Sequence, residues 1–336
     1  MPARSDVAPG TGIRVAPDER LTRELGTRHI GTAILAVPTG GYVWARRPGP
    51  ARDTPLPLPG ARRAAAVRTA SAGAPVGLAL ATPDPGQAGV LRYPAPGTRS
   101  AAAAVRDPAP RAQAAVQDAV RGLGATLRTL HTRPAAEEAP GLPPAPARLL
   151  RWLRAGTGPG AAPRLHAAAR SRLGERRLRL IADWSGGAAH GPGPRVLLHG
   201  GPSLGALVLP SGPARAVLLT GEELTGGSWE FDVSWQLAEF AEMAAGHRWG
   251  VCGTADHVAL ARALLDSYGR QPSPAAVRRA VVLRSLTHAH DFAAYVAWHA
   301  QLLTYLDLVS EAMEAAEAPD ALAGWDAARV CAPHGR

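Results

Sequence analysis

The chain has 336 residues, of which 46% are hydrophobic, and its formal net charge is +10. This composition is apolar enough to bury a core, which excludes a wholly disordered protein. No apolar run is long enough to span a bilayer, and the first residues do not resemble a secretory signal. Two cysteines are too few for a disulfide framework, so we expect a cytoplasmic protein.

The positive charge is concentrated in the first third of the chain. Residues 1–105 hold 13 arginines against six acidic residues, whereas residues 106–336 hold 24 against 21. Every basic residue is an arginine, and the chain contains neither lysine nor asparagine. A basic surface attracts acidic partners, but no zinc finger, helix-turn-helix or aromatic RNA-binding pattern accompanies it. We therefore expect an acidic peptide or protein partner and no specific nucleic acid.

Short apolar runs separated by turn residues predict strands in the first third. These runs lie at residues 30–38, 41–46, 76–81 and 89–93. The pair Thr39-Gly40 between the first two runs favours a hairpin, and the five prolines of residues 48–59 indicate a loop. The pattern predicts a small antiparallel sheet within residues 1–105.

Helical periodicity begins after residue 106. A helix is predicted over residues 111–131, because apolar residues recur on one of its faces at Val116, Val120, Leu123, Leu127 and Leu130. Residues 132–146 are rich in proline, alanine and glutamate and predict a linker. Further helices are predicted at residues 147–155, 163–173, 232–245, 254–268, 274–285 and 288–317. Further strands are predicted at residues 196–198, 207–210 and 216–219.

A motif with catalytic character lies in the segment Arg195–Leu209, which carries His-Gly-Gly at residues 199–201 between two apolar strands. It resembles the catalytic loop of the aminoglycoside phosphotransferase-like kinases. In that family a strand leads into His-Gly-Asp, and an asparagine follows five residues after the aspartate. Here Gly201 stands at the aspartate position and Ala206 at the asparagine position. The resemblance is best over residues 111–245.

Two further motifs fit the same resemblance. Leu127-Arg-Thr-Leu-His131 matches the Leu-x-x-Leu-His turn that closes a helix in the family. The segment Gly227–Trp235 corresponds to the family's Gly-Asp-Pro helix start. Counting back from Asp232 places the family's metal-binding aspartate at Thr220.

The resemblance implies an α+β, two-lobed protein-kinase-like fold, with a β-rich N-lobe in residues 1–105 and a helical C-lobe in residues 106–336. Phosphoryl transfer requires a base or orienting group, charge neutralisation, and magnesium held by oxygen ligands. Glycine at position 201 removes the base, while Ala206 and Thr220 remove two magnesium ligands. The resemblance therefore implies a catalytically degenerate kinase.

Other residues are candidates to replace the lost groups. Arg46 ends a strand that corresponds to the one bearing the family's ATP-binding lysine, and Gly40-Gly41 before it form a candidate phosphate-covering loop. Glu222 and Glu223 closely follow the lost aspartate and could reach a displaced metal; the alternative is that both lie on a solvated turn. ATP and magnesium are expected cofactors only if these replacements act, and no other metal ligand is predicted.

Histidines and acids near these motifs have structural and catalytic interpretations. His199 is a catalytic candidate, but we expect its ring to bond backbone carbonyls in its own loop. Asp232 precedes an apolar-periodic run, which favours a capping role for its carboxylate. His288, His290 and Asp291 cluster at the start of the predicted last helix, where capping is again favoured over proton transfer.

The same resemblance carries an expectation about function. Kinase-like components of class V lanthipeptide and thioamitide biosynthesis are similar degenerate phosphotransferase-like proteins. This implies a subunit of a peptide-modifying complex that binds or positions a precursor peptide beside a lyase-like partner enzyme. The basic first third would suit an acidic leader in that peptide.

Alternatives remain open on the sequence. The chain could be an atypical active Ser/Thr kinase, which phosphorylates the precursor peptide before phosphate elimination. A standalone small-molecule phosphotransferase would be expected to keep an intact His-Gly-Asp motif. A cyclase on a kinase scaffold would use zinc, for which His247, Cys252 and His257 offer ligands, although their spacing does not bring all three to one point.

Overall fold

A computed structural model describes residues 12–52, 54–135, 141–247 and 255–317. The N-terminal strands are β1 (Arg20–Gly26), β2 (Ile30–Ala36), β3 (Tyr42–Pro48), β5 (Thr82–Pro83) and β6 (Leu91–Ala95). They form an antiparallel sheet in the order β1-β2-β3-β6-β5. β2 and β3 are the predicted hairpin, whose turn contains Gly40 and Gly41 with φ angles of 85° and 84°. Glycine adopts these angles without the steric cost that a side chain would add.

A second sheet combines strands from both sides of residue 105. Its members are β4 (Gly77–Leu80), β7 (Arg99–Ser100), β9 (Leu207–Leu209) and β10 (Val217–Thr220), in the order β4-β10-β9-β7. β4 pairs with β10 in parallel, so the prediction that the run at residues 76–81 belongs to one antiparallel sheet of the first third is wrong. β7, which the sequence patterns do not predict, pairs with β9 antiparallel. β4 is a continuous apolar run, as expected of a parallel strand that is covered on both faces. β8 (Val196–Leu198) and β11 (Thr225–Gly227) form a separate antiparallel pair.

The helix α1 (Ala61–Ser71) follows the proline-rich loop, and the sequence patterns do not predict it. Its buried residues are Ala64, Val67 and Ala70, which are too small to produce the broad apolar stripe that marks a helix. α1 packs against α3 (Pro110–Leu130), which is the helix predicted over residues 111–131. That prediction is confirmed, and the five residues of its predicted apolar face are all buried.

The rest of the helical lobe consists of α2 (Ala101–Ala104), α4 (Pro144–Ala155), α5 (Ala162–Gly186), α6 (Glu230–His247), α7 (His257–Tyr268), α8 (Pro274–Tyr295) and α9 (Leu302–Glu317). α5 passes the predicted end at residue 173 and bends at Gly174, where φ is 77°. The predicted helix over residues 288–317 is wrong, because α8 continues to Tyr295 and residues 296–301 separate it from α9. Those six residues include neither glycine nor proline, so no breaker marks the separation.

The two lobes meet around a cleft, and the predicted α+β, two-lobed kinase-like fold is confirmed. The turn between β1 and β2 reaches across to the C-lobe, where the Arg28 backbone N–H donates to the Tyr295 carbonyl at 2.9 Å. The His29 ring lies 4.4 Å from the Tyr295 ring, measured between centroids. These contacts close one end of the cleft. Within the described ranges, none of the helices combines the length and apolarity needed to cross a membrane.

Candidate interlobe binding site

A cavity of about 700 Å³ lies in the cleft between the lobes. The N-lobe contributes Thr32 and Arg46 from the hairpin, and Tyr93 from β6. The C-lobe contributes α4 and the loops that follow β8 and β10, with Arg148 and Glu222 among their residues. A cavity of this volume is in the range that small-molecule ligands occupy.

The loop after β8 is held in place by a buried carboxylate from α6. Asp232 is fully buried and accepts hydrogen bonds from the backbone N–H groups of His199 at 2.7 Å and Gly200 at 2.9 Å. The His131 ring donates from Nε2 to the same carboxylate at 3.0 Å and accepts from the Tyr268 hydroxyl at 2.9 Å. The expectation that Asp232 caps α6 is therefore wrong. Its carboxylate oxygens accept hydrogen bonds from the loop amides and from His131, the last residue of the Leu-x-x-Leu-His turn.

His199 is buried beneath this loop. Its Nε2 donates to the Leu219 carbonyl on β10 at 3.1 Å, so the ring joins the loop to the neighbouring sheet. Burial lowers the pKa of the ring, and the charge of Asp232 only partly opposes this effect. A neutral ring that is used for a backbone contact fits a positioning role.

Glu223 fills the space that an aspartate side chain at position 201 would need. A Cβ built at Gly201 would collide with the Glu223 Oε2 atom, and one built at Gly200 would collide with the Glu223 carbonyl oxygen. A carboxylate therefore lies beside the loop although residue 201 supplies none. It comes from the turn after β10, two positions from Gly221.

The positions that correspond to magnesium ligands do not supply oxygen to the cavity. Ala206 has no side-chain oxygen, and the Thr220 hydroxyl is buried and donates to the Leu218 carbonyl at 2.8 Å. Magnesium requires near-octahedral oxygen coordination. The part of the chain described by the structure contains no group of three histidines, cysteines or acids that could hold a metal. The residues present at these positions do not fit magnesium.

Glu222 is engaged by two arginines. Its Oε1 accepts from Arg46 at 3.4 Å, and its Oε2 accepts from Arg52 at 3.3 Å. The side chains of all three residues are less than one fifth exposed. In protein kinases the β3 lysine pairs with a glutamate on the helix that follows. α1 has no acidic residue, so Arg46 takes its carboxylate from the opposite lobe.

Burial and neighbouring charges shift the pKa values of two residues that line the cavity. Burial, followed by the charges of Arg148 and Arg52, lowers the pKa of His29 to about 4, so this ring is neutral at physiological pH. Burial and the charge of Glu222 raise the pKa of Glu223 to about 7, and the surrounding arginines limit the rise. Glu223 is therefore poised between its protonated and ionised forms near neutral pH.

A second cavity of about 370 Å³ lies on the C-lobe side of Glu223. Trp235 on α6, together with Arg284 and Phe292 on α8, lines it, and it shares Gly201 and Glu223 with the first cavity. The two cavities therefore meet at the position of the missing aspartate. In a kinase this is the point where nucleotide and acceptor are brought together.

The cluster on α8 does not have the predicted position. His288, His290 and Asp291 lie in the last turns of α8, so their predicted capping of a helix start is wrong. Asp291 pairs with Arg148 on α4 at 2.6 Å, and His290 lies 2.8 Å from Asp291. Burial opposes ionisation of Asp291, but the Arg148 guanidinium holds the pKa of that carboxyl below its usual range. His288 pairs instead with Glu242 on α6 at 2.7 Å.

The predicted site residues separate into two groups. Arg46, His199, Glu222 and Glu223 all line the interlobe cavity. Gly40 and Gly41 do not line it, because they lie in the β2–β3 turn at the far end of seven-residue strands. A strand of this length spans about 20 Å. The turn that approaches the cavity is the one between β1 and β2, which includes His29.

Sequence reasoning missed three residues of the site, His29, Arg52 and Arg148. Arg52 lies in the proline-rich loop and contacts a glutamate 170 positions away. Arg148 lies on a short amphipathic helix that carries two other arginines. No local pattern distinguishes these residues. The candidate zinc set cannot be completed either, since Cys252 lies outside the described residues.

No protein-family model matches this chain, and no curated protein matches it. Solved structures do. Amicoumacin kinase hAmiN, in complex with AMP-PNP, Ca²⁺ and Ami, is 11% identical, with a TM-score of 0.55 and 89% of each chain covered. A choline/ethanolamine kinase family protein from Mesorhizobium loti is 18% identical, with a TM-score of 0.48, and the match covers 90% of this chain and 89% of the other. An ethanolamine kinase from Plasmodium vivax is 9% identical, with a TM-score of 0.49, and the match covers 90% of this chain and 82% of the other.

At these identities the likeness shows the fold alone. The amicoumacin kinase match, whose TM-score exceeds 0.5, covers both lobes of this chain. The fold that the match supports is the two-lobed kinase-like fold of amicoumacin kinase. The chemistry of this chain must be argued from its own residues, since fold and function vary separately.

Proposed function

We propose that this chain is a catalytically degenerate kinase-fold protein, whose interlobe cavity binds and positions an anionic ligand without transferring phosphate from magnesium-bound ATP. One observation carries the proposal: the positions that should hold magnesium are Ala206 and an internally bonded Thr220. Glu222, one of the two carboxylates that line the cavity, is already paired with Arg46 and Arg52.

The chain's own residues support binding in several ways. Asp232 binds two backbone N–H groups of the loop after β8, which favours a preformed wall of the cavity. Arg46 and Arg148 supply positive charge to the cavity from the two lobes. The β1–β2 turn, docked on Tyr295, restricts access of water at one end. Preorganised cationic walls favour binding of an anion because little side-chain entropy is lost on association.

An atypical active kinase is the second candidate, and one observation favours it. Glu223 occupies the space of the missing aspartate, at the junction of the two cavities. With a pKa of about 7, its carboxylate could accept a proton from an acceptor hydroxyl. This candidate still needs charge neutralisation at the transferred phosphate, which the arginines would have to supply without a metal.

The biological setting that we propose is a lanthipeptide-type peptide-modifying complex. Its support is the resemblance to kinase-like components of such systems and the excess of arginine in the first third, which suits an acidic precursor. In this setting the chain holds the precursor peptide for a lyase-like partner enzyme. The cyclase alternative depends on a zinc site, and among the described residues no group of three candidate ligands occurs.

A phosphate-transfer assay tests the proposal. The purified chain is incubated with γ-labelled ATP, magnesium and an acidic precursor peptide, with and without the lyase-like partner. We expect no labelled peptide above the background of a heat-denatured sample. Magnesium-dependent labelling that disappears in Glu223→Gln, while the variant keeps the thermal stability of the wild type, would contradict the proposal and establish the atypical kinase.

A further inference from the structure

Glu222 acts as an internal anion in the interlobe cavity. Its two oxygens each face a guanidinium, one from β3 and one from the proline-rich loop, at 3.4 and 3.3 Å. Both distances are longer than the 2.7–2.9 Å usual for charge-assisted hydrogen bonds. The carboxylate therefore bridges Arg46 and Arg52, but it makes only a long hydrogen bond to each guanidinium. An anion with more oxygens and more charge would make better use of the same two guanidinium groups.

The cavity contains more positive than negative charge. Four arginines line it, Arg46, Arg52, Arg148 and Arg151, against the two glutamates Glu222 and Glu223. Arg151 forms no ion pair with an acid of the described chain. Arg148 uses its Nε and Nη2 for Asp291, which fixes the orientation of its planar group. Within the described residues its Nη1 makes no hydrogen bond, so that donor remains for a ligand.

From this arrangement we infer that the cavity is a metal-independent site for a phosphate monoester or the end of a polyphosphate, bound as a multiply charged anion by Arg46, Arg52, Arg148 and Arg151. In the absence of ligand, Glu222 takes the place of the phosphate between Arg46 and Arg52. This inference rests on the proposed function, because it assigns to arginines the neutralising role that magnesium has in kinases.

Arginine is suited to this task. Its planar fork presents paired N–H donors that match two phosphate oxygens, and its charge is fixed at all physiological pH values. A phosphate monoester carries up to two negative charges near neutral pH, whereas the Glu222 carboxylate carries one. Exchange of the carboxylate for the phosphate therefore increases the opposite charge facing the arginines. Glu222 lies in the turn between β10 and β11, where its side chain can move without breaking a strand.

The surrounding neutral groups are consistent with an anion. The neutral His29 ring accepts a hydrogen bond from Arg52 through its Nε2 at 3.4 Å, and burial and the arginines lower its pKa, so the ring orients Arg52 without adding charge. The Arg46 guanidinium also lies 5.3 Å from the centre of the Tyr93 ring, which holds it against the sheet. The arginines are thus positioned before a ligand arrives.

Binding of phosphorylated probes in EDTA tests the inference. Isothermal titration compares a phosphoserine peptide, its unphosphorylated form, and ATP, so the peptide and nucleotide sources of phosphate are separate arms. We expect at least one phosphorylated probe to bind, and EDTA not to weaken it. We expect the unphosphorylated peptide to bind at least about tenfold more weakly than the phosphopeptide, a difference of about 1.4 kcal/mol.

Variants at the same pair of arginines make the test specific. Glu222→Gln should strengthen phosphate binding about tenfold, because it removes a competing negative charge. Arg46→Ala should weaken binding by about tenfold or more. Arg47→Ala is the matched control: Arg47 neighbours Arg46 on β3 but points to the opposite face, and it does not line the cavity, so binding should not change.

Failure of this inference is distinguishable from failure of the proposed function. Phosphate binding that requires magnesium and is weakened by Glu222→Gln would show Glu222 to be a metal ligand and would overturn the inference. The inference would also be overturned if, in EDTA, ATP did not bind and the phosphopeptide bound no more tightly than its unphosphorylated form. The proposed function is overturned instead by labelled product in the transfer assay. Thermal denaturation of each variant verifies that it is folded.

Discussion

The buried side of the loop after β8 and its surface towards the cavity differ in the side chains that they present. Beneath the loop, Asp232, His131 and Tyr268 form an unbroken chain of hydrogen bonds that holds the loop amides. On the surface that faces the cavity, Gly201 and Ala206 present no functional group. The contrast shows that the residues which hold this loop in shape are separate from the positions that face the cavity.

The largest effect should come from the scaffold. Asp232→Ala removes the acceptor for two backbone N–H groups and for the His131 ring, all of them buried. Loss of one partner of a buried network of this kind costs about 3–5 kcal/mol, and we expect this decrease in the free energy of unfolding. Urea denaturation measures it.

Asp256→Ala is the matched control for that substitution. Asp256 is exposed and caps α7 by accepting from the Ala259 backbone N–H at 2.9 Å. Loss of a helix cap costs about 1 kcal/mol. If Asp232→Ala were no more destabilising than Asp256→Ala, the network beneath the loop would not be what holds the site in shape.

Restoring an aspartate at position 201 should be harmful on its own. Gly201→Asp places a side chain against the Glu223 carboxylate, and we expect it to cost about 2–3 kcal/mol from steric overlap and like-charge repulsion. Adding Glu223→Ala should recover most of this loss, because it vacates the space. A double-mutant cycle on the free energy of unfolding measures the coupling. Additive effects would contradict the claim that Glu223 replaces residue 201 in space.

The protonation of Glu223 gives a pH-dependent test. Its pKa is about 7 in the folded chain, against an ordinary value of 4.5. Between these pH values the folded state binds more protons than the unfolded state, so this residue lowers stability as pH rises. The free energy of unfolding of Glu223→Gln, relative to that of the wild type, should therefore be higher at pH 8 than at pH 4 by on the order of 2 kcal/mol. Denaturation at the two pH values measures the difference, and an equal effect at both would contradict a raised pKa.

The smallest effect is expected at Thr220, the position at which the family resemblance places a metal ligand. Thr220→Val removes one hydrogen bond to the Leu218 carbonyl, a change worth about 1 kcal/mol. Because the Thr220 hydroxyl points into the protein and not to a metal, the variant should bind ATP as the wild type does. Weaker ATP binding in the presence of magnesium, measured by isothermal titration, would show that Thr220 is a ligand after all.

Much of the fold is readable from the sequence where local pattern and packing agree. The apolar face of α3 and the β2–β3 hairpin were predictable because each is defined by residues close in the chain. α1 was not, since its buried face is mostly alanine. The division between α8 and α9 has no glycine or proline to mark it.

The site is readable only in part. His-Gly-Gly at residues 199–201 and the neighbouring pair Glu222 and Glu223 identify the loops that form its wall. The use of Glu222 by Arg46 and Arg52 is decided by contacts across 170 or more positions, which no local pattern encodes. The collision of a side chain at position 201 with Glu223 likewise exists only once the loops after β8 and β10 lie next to each other.

The most direct test of whether side chains of the cavity coordinate a metal is electron paramagnetic resonance of Mn²⁺, titrated into the chain with and without ATP. Mn²⁺ is a paramagnetic probe that accepts the same oxygen ligands as magnesium. We expect the chain to add no binding site for Mn²⁺ beyond that of the nucleotide. A stoichiometric protein-bound Mn²⁺ signal that is lost in Glu222→Gln, but kept in Arg47→Ala, would contradict it.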